Sequence, residues 1–182
     1  MDLRQRKTER ALRAAFLELR GEAPTSRITV RALCERAEVA PATFYLHYHD
    51  IYELSQTMQS ELIAQVVEGL PDPHLIVTDG DRFMRDLWHA LRDRRKEIAV
   101  LFSGERESAL PHAVEERIRE LIERMAPGIL DDVRLSTAVT LQLQGSYWAW
   151  RRHGDQEGCE DATARCAQLI SSSFSPSRSQ QP

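Results

Sequence analysis

The sequence predicts an all-α protein. Apolar side chains recur at the three- and four-residue spacing of a helix through most of the chain. No stretch alternates apolar and polar residues well enough to be a strand, and only 8 glycines and 8 prolines interrupt the 182 residues. We therefore expect three N-terminal helices followed by a bundle of longer helices.

The first two helices follow from their apolar stripes and from residues that stop or cap a helix. The first is predicted over residues 4–19, and Gly21 and Pro24 end it. Thr29 is an N-cap residue type and opens the second helix. The inward faces are predicted to be Ala11, Leu12, Ala15, Phe16 and Leu19 in the first helix, and Val30, Leu33, Cys34 and Ala37 in the second.

The third and fourth helices are predicted from a proline and a capping pattern. Pro41 suits the first turn of a third helix over residues 41–47, because its missing N–H is not needed there. Asp50 and Glu53 resemble a capping box, with Asp in the Ser/Thr position. This pattern starts a long fourth helix over residues 51–70.

The rest of the chain is predicted to contain five more helices. The segment Pro-Asp-Pro at 71–73 and the pair Pro-Gly at 127–128 are breaks, and Gly154 ends the longest helix. The predicted helices cover residues 80–92, 94–102, 110–125, 131–153 and 160–174. We predict one domain over residues 1–50, a second over 51–174, and a disordered tail over 175–182.

The charge is unevenly distributed. The chain carries a formal net charge of −4. Residues 1–54 contain nine Lys and Arg against eight Asp and Glu, a balance of +1, while the remainder contains fifteen against twenty, a balance of −5. Such a distribution favours an N-terminal part that contacts an anion. The cations of the first helix are Arg4, Arg6, Lys7, Arg10 and Arg13.

Composition also excludes several classes of protein. Apolar residues make up 42% and charged residues 29%, an ordinary globular balance. The N-terminus lacks the apolar segment of a secretory signal, and no run of about 18 apolar residues could span a membrane. Three cysteines without metal-ligand spacing favour reduced thiols. We expect a cytoplasmic protein that needs no cofactor and contacts no membrane.

Two short helices joined by a turn of about four residues, with the first helix packed across them, have the outline of a helix-turn-helix. The segment ITVRALCERAEVAPATFYLHYHDIYEL, residues 28–54, resembles the DNA-binding segment of the tetracycline-repressor (TetR/AcrR) family. The resemblance covers roughly residues 4–54, and the remainder matches in helix pattern and length. It implies that residues 41–47 form the recognition helix.

Residue chemistry divides the segment into anchoring and DNA-contacting positions. Phe44 and Tyr48 are expected to face inward, whereas Tyr45 and His47 suit phosphate oxygens. Arg31 is a long donor placed for a guanine, and the family resemblance puts a base-contacting residue there. The predicted DNA-binding residues are Arg4, Lys7, Thr29, Arg31, Ala40, Pro41, Ala42, Thr43, Tyr45, Leu46 and His47. The small and apolar ones among them suit thymine methyl groups.

Three positions depart from the family pattern. Glu38 occupies a turn position that is usually glycine, so it must accept a strained backbone or shift the turn. Ala40 replaces the usual serine before the recognition helix and provides no side-chain cap. Ile51 replaces a common lysine and removes one phosphate contact.

The resemblance implies that the C-terminal helices enclose an effector pocket and that the last two long helices pair with their copies in a dimer. A helical face of Ala138, Leu141, Gly145 and Trp148 is predicted to approach a second copy. Most large apolar side chains here are expected to form core, and the apolar lining favours a hydrophobic or aromatic effector. The predicted pocket residues are Phe83, Leu87, Trp88, Phe102, Leu121, Met125, Leu143 and Tyr147.

These observations predict a homodimeric, ligand-responsive transcriptional regulator, most simply a repressor of a palindromic operator, and not an enzyme. A helical enzyme is the main alternative, although the chain has no Gly-rich phosphate loop, GxSxG or HExxH motif. An adaptor that binds only protein is the other. His47 and His49 are two residues apart, so they point to different sides of a helix and do not predict a metal site.

Overall fold

The computed structural model describes residues 3–72, 74–104 and 108–153, together with 156, 158–159, 161–163 and 165–166. Within these residues all regular structure is helical, and the fold is all-α. The longer helices are α1 (Leu3–Glu22), α2 (Val30–Ala37), α4 (Ile51–Glu68), α6 (Gly80–Asp93), α7 (Arg95–Phe102), α8 (Ala109–Met125) and α9 (Val133–His153). The four-residue helices are α3 (Pro41–Phe44) and α5 (Leu75–Thr78), and 3₁₀ turns cover Thr25–Arg27 and Ile129–Asp131.

Most predicted helices are confirmed, with end positions shifted by a few residues. The prediction of a third helix over residues 41–47 was too long, because α3 ends at Phe44. After it, the chain continues as a tight turn in which the N–H groups of Leu46 and His47 donate to the carbonyl oxygens three residues earlier. Helix α5 and both 3₁₀ turns were not predicted. Gly154, most of the predicted helix 160–174 and the tail 175–182 lie outside the described residues.

The chain forms two compact units. Unit 1 consists of Met1–Leu62 and Arg94–Ala109, and unit 2 consists of Ile63–Asp93 and Leu110–Pro182. Helix α7 thus packs with the N-terminal helices, although it lies between α6 and α8 in sequence. The proposed functional division at residue 50 stays a prediction, while packing places α7 and most of α4 with the first three helices.

A single hydrophobic cluster holds unit 1 together. Its centre consists of large side chains with no exposed surface, contributed by α1, α2, α3 and α4. Leu101 of α7 is 4% exposed and belongs to the same cluster, and Ile98 and Phe102 pack against it. Burial of such side chains stabilises the fold by about 1.5–3 kcal/mol each. The fully buried members are Leu12, Phe16, Leu33, Phe44 and Leu54.

Within unit 1, a buried arginine of α1 holds the end of α7. Arg20 on α1 is 4% exposed, and its guanidinium donates to the carbonyl oxygens of Leu101 at 3.4 Å and Ser103 at 2.5 Å. Gln59 of α4 donates to the same Leu101 carbonyl at 2.7 Å. These donors satisfy carbonyl groups that the last turn of a helix leaves without intrahelical partners. The segment after α7 is therefore held by side chains from both α1 and α4.

In unit 2 an ion-pair network joins α8 to α9. Glu115, 9% exposed, accepts hydrogen bonds from Arg119 at 3.0 Å, from Thr140 at 2.5 Å and from Gln144 at 2.9 Å. Burial alone would raise the pKa of Glu115, but the three hydrogen bonds outweigh burial and lower it. Arg119 also donates to the carbonyl oxygen of Ser136 at 2.9 Å. Because each charged group has several partners, the network fixes the register of the two helices.

The end of α2 has a strained backbone, as the sequence indicated. Glu38 has φ 55° and ψ 41°, which is left-handed, and its N–H donates to carbonyl oxygens of the last helical turn. A side chain in this conformation costs about 1–2 kcal/mol, whereas glycine adopts it freely. Of the two outcomes that the sequence left open, a strained backbone or a shifted turn, the structure shows the strained backbone.

We expect Glu38→Gly to stabilise the protein by about 1 kcal/mol, raising the thermal midpoint by about 2–4 °C, because relief of the strain exceeds the added entropy of the unfolded chain. Glu35→Gly is the matched control: it places glycine inside the same helix and should destabilise by about 1 kcal/mol. Thermal unfolding followed by circular dichroism measures both. Equal losses of stability in the two variants would show that residue 38 is not left-handed in solution.

Candidate nucleic-acid interface

The two short helices α2 and α3 are arranged by local caps. The Thr29 hydroxyl oxygen accepts a hydrogen bond from the N–H of Ala32 at 3.1 Å, which confirms the predicted N-cap. Ala40 stands before α3 without a side-chain cap, and Pro41 takes the first helical position. Only three residues lie between α2 and α3, of which Glu38 is left-handed and Ala40 is extended, so the two helices form a helix-turn-helix.

Two aromatic rings anchor α3 and the turn that follows it. Phe44 is fully buried and Tyr48 is 6% exposed, and their ring centroids lie 5.9 Å apart. Both belong to the hydrophobic cluster of unit 1, so the predicted inward-facing pair is confirmed. The Tyr45 ring meets the edge of Phe44 at 5.4 Å while keeping 60% of its own surface exposed. The anchor thereby fixes the direction of the residues between the two rings.

The residues between and before the anchors form an exposed surface. Leu46 is 83% exposed, although leucine is one of the residue types most often buried in folded proteins. Together with Tyr45, it gives the turn after α3 an apolar and aromatic tip. The structure brings together all seven predicted positions from residue 40 to 47: Ala40, Pro41, Ala42, Tyr45 and Leu46 are exposed, and Thr43 and His47 are half-buried.

Arg31 lies on the outer face of α2. Its Nε donates to Glu35, one helical turn later, at 2.9 Å, and both side chains are largely exposed. The hydrogen bond from Arg31 to Glu35 raises the pKa of Arg31, which is charged in any case. Because Glu35 engages only Nε, the two terminal nitrogens remain available to an outside acceptor.

Several cations in unit 1 have no anionic partner among the described residues. Arg6, Lys7 and Arg10 on α1 and Arg27 before α2 are exposed, and no ion pair with a described residue involves them. Arg36, in contrast, pairs with Glu18 and Glu22, each at 3.2 Å. Arg4 starts the same helix, but its side chain lies outside the described part.

Two exposed residues beside the predicted interface, Arg27 and Tyr52, were not predicted to contact DNA. Arg27 precedes the N-cap Thr29 by two residues, and this proximity to the start of a helix was the available signal. Tyr52 is 52% exposed in the first turn of α4. Its hydroxyl is close in sequence to residues 41–47, which we call the recognition segment. Both are additional candidates for phosphate contacts.

Carboxylates occupy the N-terminus of α4. Asp50 accepts a hydrogen bond from the N–H of Glu53 at 2.8 Å, which confirms half of the predicted capping box. The Glu53 carboxylate accepts from the N–H of His49 rather than from that of Asp50. Since two negative charges already neutralise this helix end, it is a poor site for a phosphate.

The predicted pocket residues are largely core. In unit 2, Trp88 stacks on Trp150 with ring centroids 5.7 Å apart, and Tyr147 lies 6.4 Å from Trp150. Met125 is half-buried. Phe102 belongs to unit 1, where it packs against the N-terminal cluster, whereas the other seven belong to unit 2. The buried residues of the predicted set are Phe83, Leu87, Trp88, Leu121, Leu143 and Tyr147.

A groove of about 530 Å³ in unit 2 is lined by α9 and by described residues that follow it, namely Gln156, Gly158, Cys159, Ala162, Thr163 and Cys166. Its wall includes Leu141 and Gly145 from the predicted dimer face, and none of the eight predicted pocket residues. Ala138 of that face is 8% exposed and belongs to the core. Leu141 and Trp148 are 60% and 41% exposed, and Val133, which was not predicted, is 76% exposed. An apolar stripe therefore runs along the outer side of α9.

Among the described residues, no group of three or more His, Cys, Asp or Glu is arranged to hold a metal ion. The same part of the chain contains no helix with the length and apolar character needed to cross a membrane.

Comparison with known proteins agrees with a helix-turn-helix. The chain is 27% identical over 132 residues to a protein of Bacillus subtilis (strain 168) named "Uncharacterized HTH-type transcriptional regulator YxbF". The alignment covers 66% of this chain and 32% of that protein, so the chain spans about a third of the relative's length. No family model and no solved structure matches the chain. The name given to this relative describes a regulator rather than an enzyme, and the all-α fold agrees with that class.

The cysteines provide a direct check of the local structure. Cys34 is buried in unit 1, Cys159 is half-buried in the groove, and Cys166 is exposed. Burial also raises the pKa of Cys34, which lowers its reactive thiolate fraction at neutral pH.

We expect a thiol reagent to modify Cys166 first, Cys159 more slowly and Cys34 only after denaturation. Mass spectrometry of quenched time points measures this order, and modification of native Cys34 as fast as Cys166 would contradict the packing of α2.

Proposed function

We propose that this chain is a sequence-specific DNA-binding transcriptional regulator of the tetracycline-repressor type. Its similarity to a protein named as an HTH-type transcriptional regulator supports a DNA-binding regulator. More specifically, we propose a ligand-responsive repressor that binds a palindromic operator as a homodimer. The resemblance of residues 28–54 to the family's DNA-binding segment supports this finer proposal.

The observation that carries the proposal is the outward tip of the recognition segment. Phe44 and Tyr48 are buried, yet Tyr45 and Leu46 between them are 60% and 83% exposed. Adjacent exposed side chains of this kind form a small apolar and aromatic surface that suits contact with a partner. In a major groove, Leu46 would contact thymine methyl groups and the Tyr45 hydroxyl would reach a phosphate oxygen.

The electrostatics of unit 1 suit a polyanion locally, despite the acidic chain. Within residues 3–62, the exposed cations without an ion pair among the described residues are Arg6, Lys7, Arg10 and Arg27. Binding of a phosphate by such a cation releases condensed counterions without first breaking a salt bridge. We propose that these four side chains, with Tyr52, position the protein and that Arg31 reads a guanine.

We propose that α9 mediates homodimerisation. Val133, Leu141 and Trp148 form its exposed apolar stripe, and Gly145 allows close approach of a neighbouring helix. A palindromic operator requires two copies of the reading surface, by which we mean the exposed side of residues 40–47, related by a two-fold axis. The second copy would cover a stripe that otherwise remains in contact with water.

We further propose that a small hydrophobic or aromatic effector binds unit 2. The family resemblance and the stacked pair of Trp88 and Trp150 support this class of ligand. All three tryptophans of the chain, at positions 88, 148 and 150, belong to unit 2. Because unit 1 contains no tryptophan, screening compounds by quenching of tryptophan fluorescence reports on unit 2 alone.

The decisive experiment is selection of binding sites from random double-stranded DNA, followed by fluorescence anisotropy with the selected and a scrambled duplex. A palindromic motif bound about 10³-fold more tightly than scrambled DNA is expected for a specific regulator. A helical enzyme or a protein-only adaptor, the rival interpretations, would enrich no motif. Absence of enrichment with folded protein would refute the proposal.

Lys7→Ala should weaken binding to operator and scrambled DNA alike and flatten the dependence of log K on log salt by about one unit, because one phosphate contact is lost. Arg36→Ala is the matched control, since Arg36 is already paired with Glu18 and Glu22. It should leave the salt slope unchanged. Anisotropy at several salt concentrations measures both variants, and equal slopes for Lys7→Ala and the parent would remove Lys7 from the interface.

Arg31→Ala should relax sequence preference at one symmetric pair of operator positions and cost about 1–3 kcal/mol of operator affinity, because a guanine loses its bidentate donor. Sites selected from random DNA with the variant and the parent are compared. Arg36→Ala, on the same helix, should select the parental motif. An unchanged motif for Arg31→Ala would mean that Arg31 reads no base.

Leu141→Glu should shift the protein from dimer to monomer, because a charge in the centre of the α9 stripe would lose water without gaining a partner. Leu17→Glu places the same change at a leucine on α1 that is 38% exposed and should leave assembly unchanged. Sedimentation velocity over a concentration series measures both. A dimer of undiminished strength in Leu141→Glu would place the interface elsewhere.

A further inference from the structure

Arg13 of α1 connects three other side chains inside unit 1. Its Nη2 donates to Glu61 of α4 at 2.8 Å, and its Nη1 donates to the other oxygen of the same carboxylate. Its Nε donates to the Tyr48 hydroxyl at 3.3 Å. Glu9, one turn earlier on α1, lies 2.9 Å from Nη2. We call these four residues the Arg13 clamp.

The clamp is a directional arrangement rather than a loose surface ion pair. The planar guanidinium contacts Glu61 with both terminal nitrogens, which fixes its orientation, and the remaining Nε then faces Tyr48. The hydrogen bond with Glu61 raises the pKa of Arg13, and the same bond lowers the pKa of Glu61. Burial raises the pKa of Tyr48, so its hydroxyl stays protonated and also donates to Glu9 at 3.4 Å.

Tyr48 is the point at which the clamp meets the recognition segment. Its ring belongs to the core, whereas its hydroxyl reaches the partly exposed clamp. A phenylalanine would fill the same core space, so the hydroxyl is not needed for apolar burial. Arg13 therefore joins the Tyr48 hydroxyl, just after the recognition segment, to Glu61, which lies ten residues after the start of α4.

We propose that Arg13 is a positioning residue for DNA recognition: it sets the angle of the recognition segment against α4 by joining the Tyr48 hydroxyl to the Glu61 carboxylate. This proposal rests on the proposed DNA-binding function. A displacement of α4 at Glu61 would pull on Tyr48 through the rigid guanidinium and tilt the exposed tip at Tyr45 and Leu46. The clamp thus makes the reading surface depend on the position of α4.

A purely stabilising role makes a different prediction. Partly exposed ion pairs contribute about 0–1 kcal/mol to folding, too little to unfold the protein when they are removed. Under conditions in which every variant is folded, loss of stability alone would leave DNA affinity unchanged. Loss of orientation would weaken binding to the operator but spare scrambled DNA, which requires charge and not an angle.

The test uses Tyr48→Phe, which removes one hydroxyl, and Glu61→Gln, which removes one charge. Glu68→Gln is the control, because it changes the same residue type on α4 outside the clamp. Circular dichroism first establishes a temperature at which all variants are folded. Anisotropy then gives affinities for the selected operator, for operators with one base pair inserted or deleted between half-sites, and for scrambled DNA.

We expect about tenfold weaker operator binding by Tyr48→Phe and by Glu61→Gln, with scrambled-DNA affinity within twofold of the parent. The double variant should be no weaker than either single variant, because both interrupt the same connection. Discrimination against operators with altered spacing should diminish. Arg13→Lys, which keeps the charge but lacks the planar fork, should behave like Tyr48→Phe, and Glu68→Gln like the parent.

Operator affinity of Tyr48→Phe equal to that of the parent would overturn the proposal, as would additive losses in the double variant or equal losses on operator and scrambled DNA. Failure of the parent protein to select any motif would instead refute the proposed function, and the positioning role would fall with it. The two failures are distinguishable because the first requires a parental operator and the second shows that none exists.

Discussion

Burial of two rings four residues apart determines the surface that this protein presents. Phe44 and Tyr48 enter the core of unit 1, and in a helical turn the residues between them must then face away from it. Tyr45 and Leu46 are exposed for this reason, and not because α3 is long or independently stable. A helix of four residues cannot persist alone, so its direction comes from the packing of its anchors. Every DNA contact proposed for this segment depends on that packing.

Local pairing, rather than net charge, explains how an acidic chain can present a surface for an anion. Arg13, Arg31 and Arg36 are paired with carboxylates, and Arg20 is buried against carbonyl groups. Within residues 3–62, the exposed cations without described ion-pair partners lie on α1 and just before α2. Charges beyond about 10 Å are screened at physiological salt, so the acidic residues of the rest of the chain have limited influence there. Summed charge is therefore a poor guide to this function.

The sequence predicted features whose causes are local. Thr29 caps a helix, Asp50 starts another and Glu38 is left-handed, because each depends on neighbours within four residues. It did not predict that Phe102 packs in unit 1 or that Ala138 is buried, since helical periodicity identifies an apolar face but not the element that covers it. The Arg13 clamp was missed for the same reason: its partners lie 35 and 48 residues away in sequence. The proposed interface could be predicted from residue types because it is a short, contiguous segment, and its DNA contacts stay a prediction, whereas a pocket assembled from distant helices gives no such signal.

The end of the proposed DNA-binding part likewise cannot be read from local sequence alone. A boundary at residue 50 follows from the motif, but the core of unit 1 also contains Leu54, Leu62 and Leu101. Arg20 is buried against carbonyl groups of Leu101 and Ser103, so removal of α7 and Ser103 would take away two acceptors of a buried charge. The helix-turn-helix therefore takes its stability from a part of the chain that follows it by more than forty residues. Since α7 belongs to unit 1, the chain passes between the two units three times: within α4, before α7 and at the start of α8. Within unit 1, α1 holds both α7 and α4, through Arg20 and through Arg13, so two segments that are distant in sequence share one core with α2 and α3.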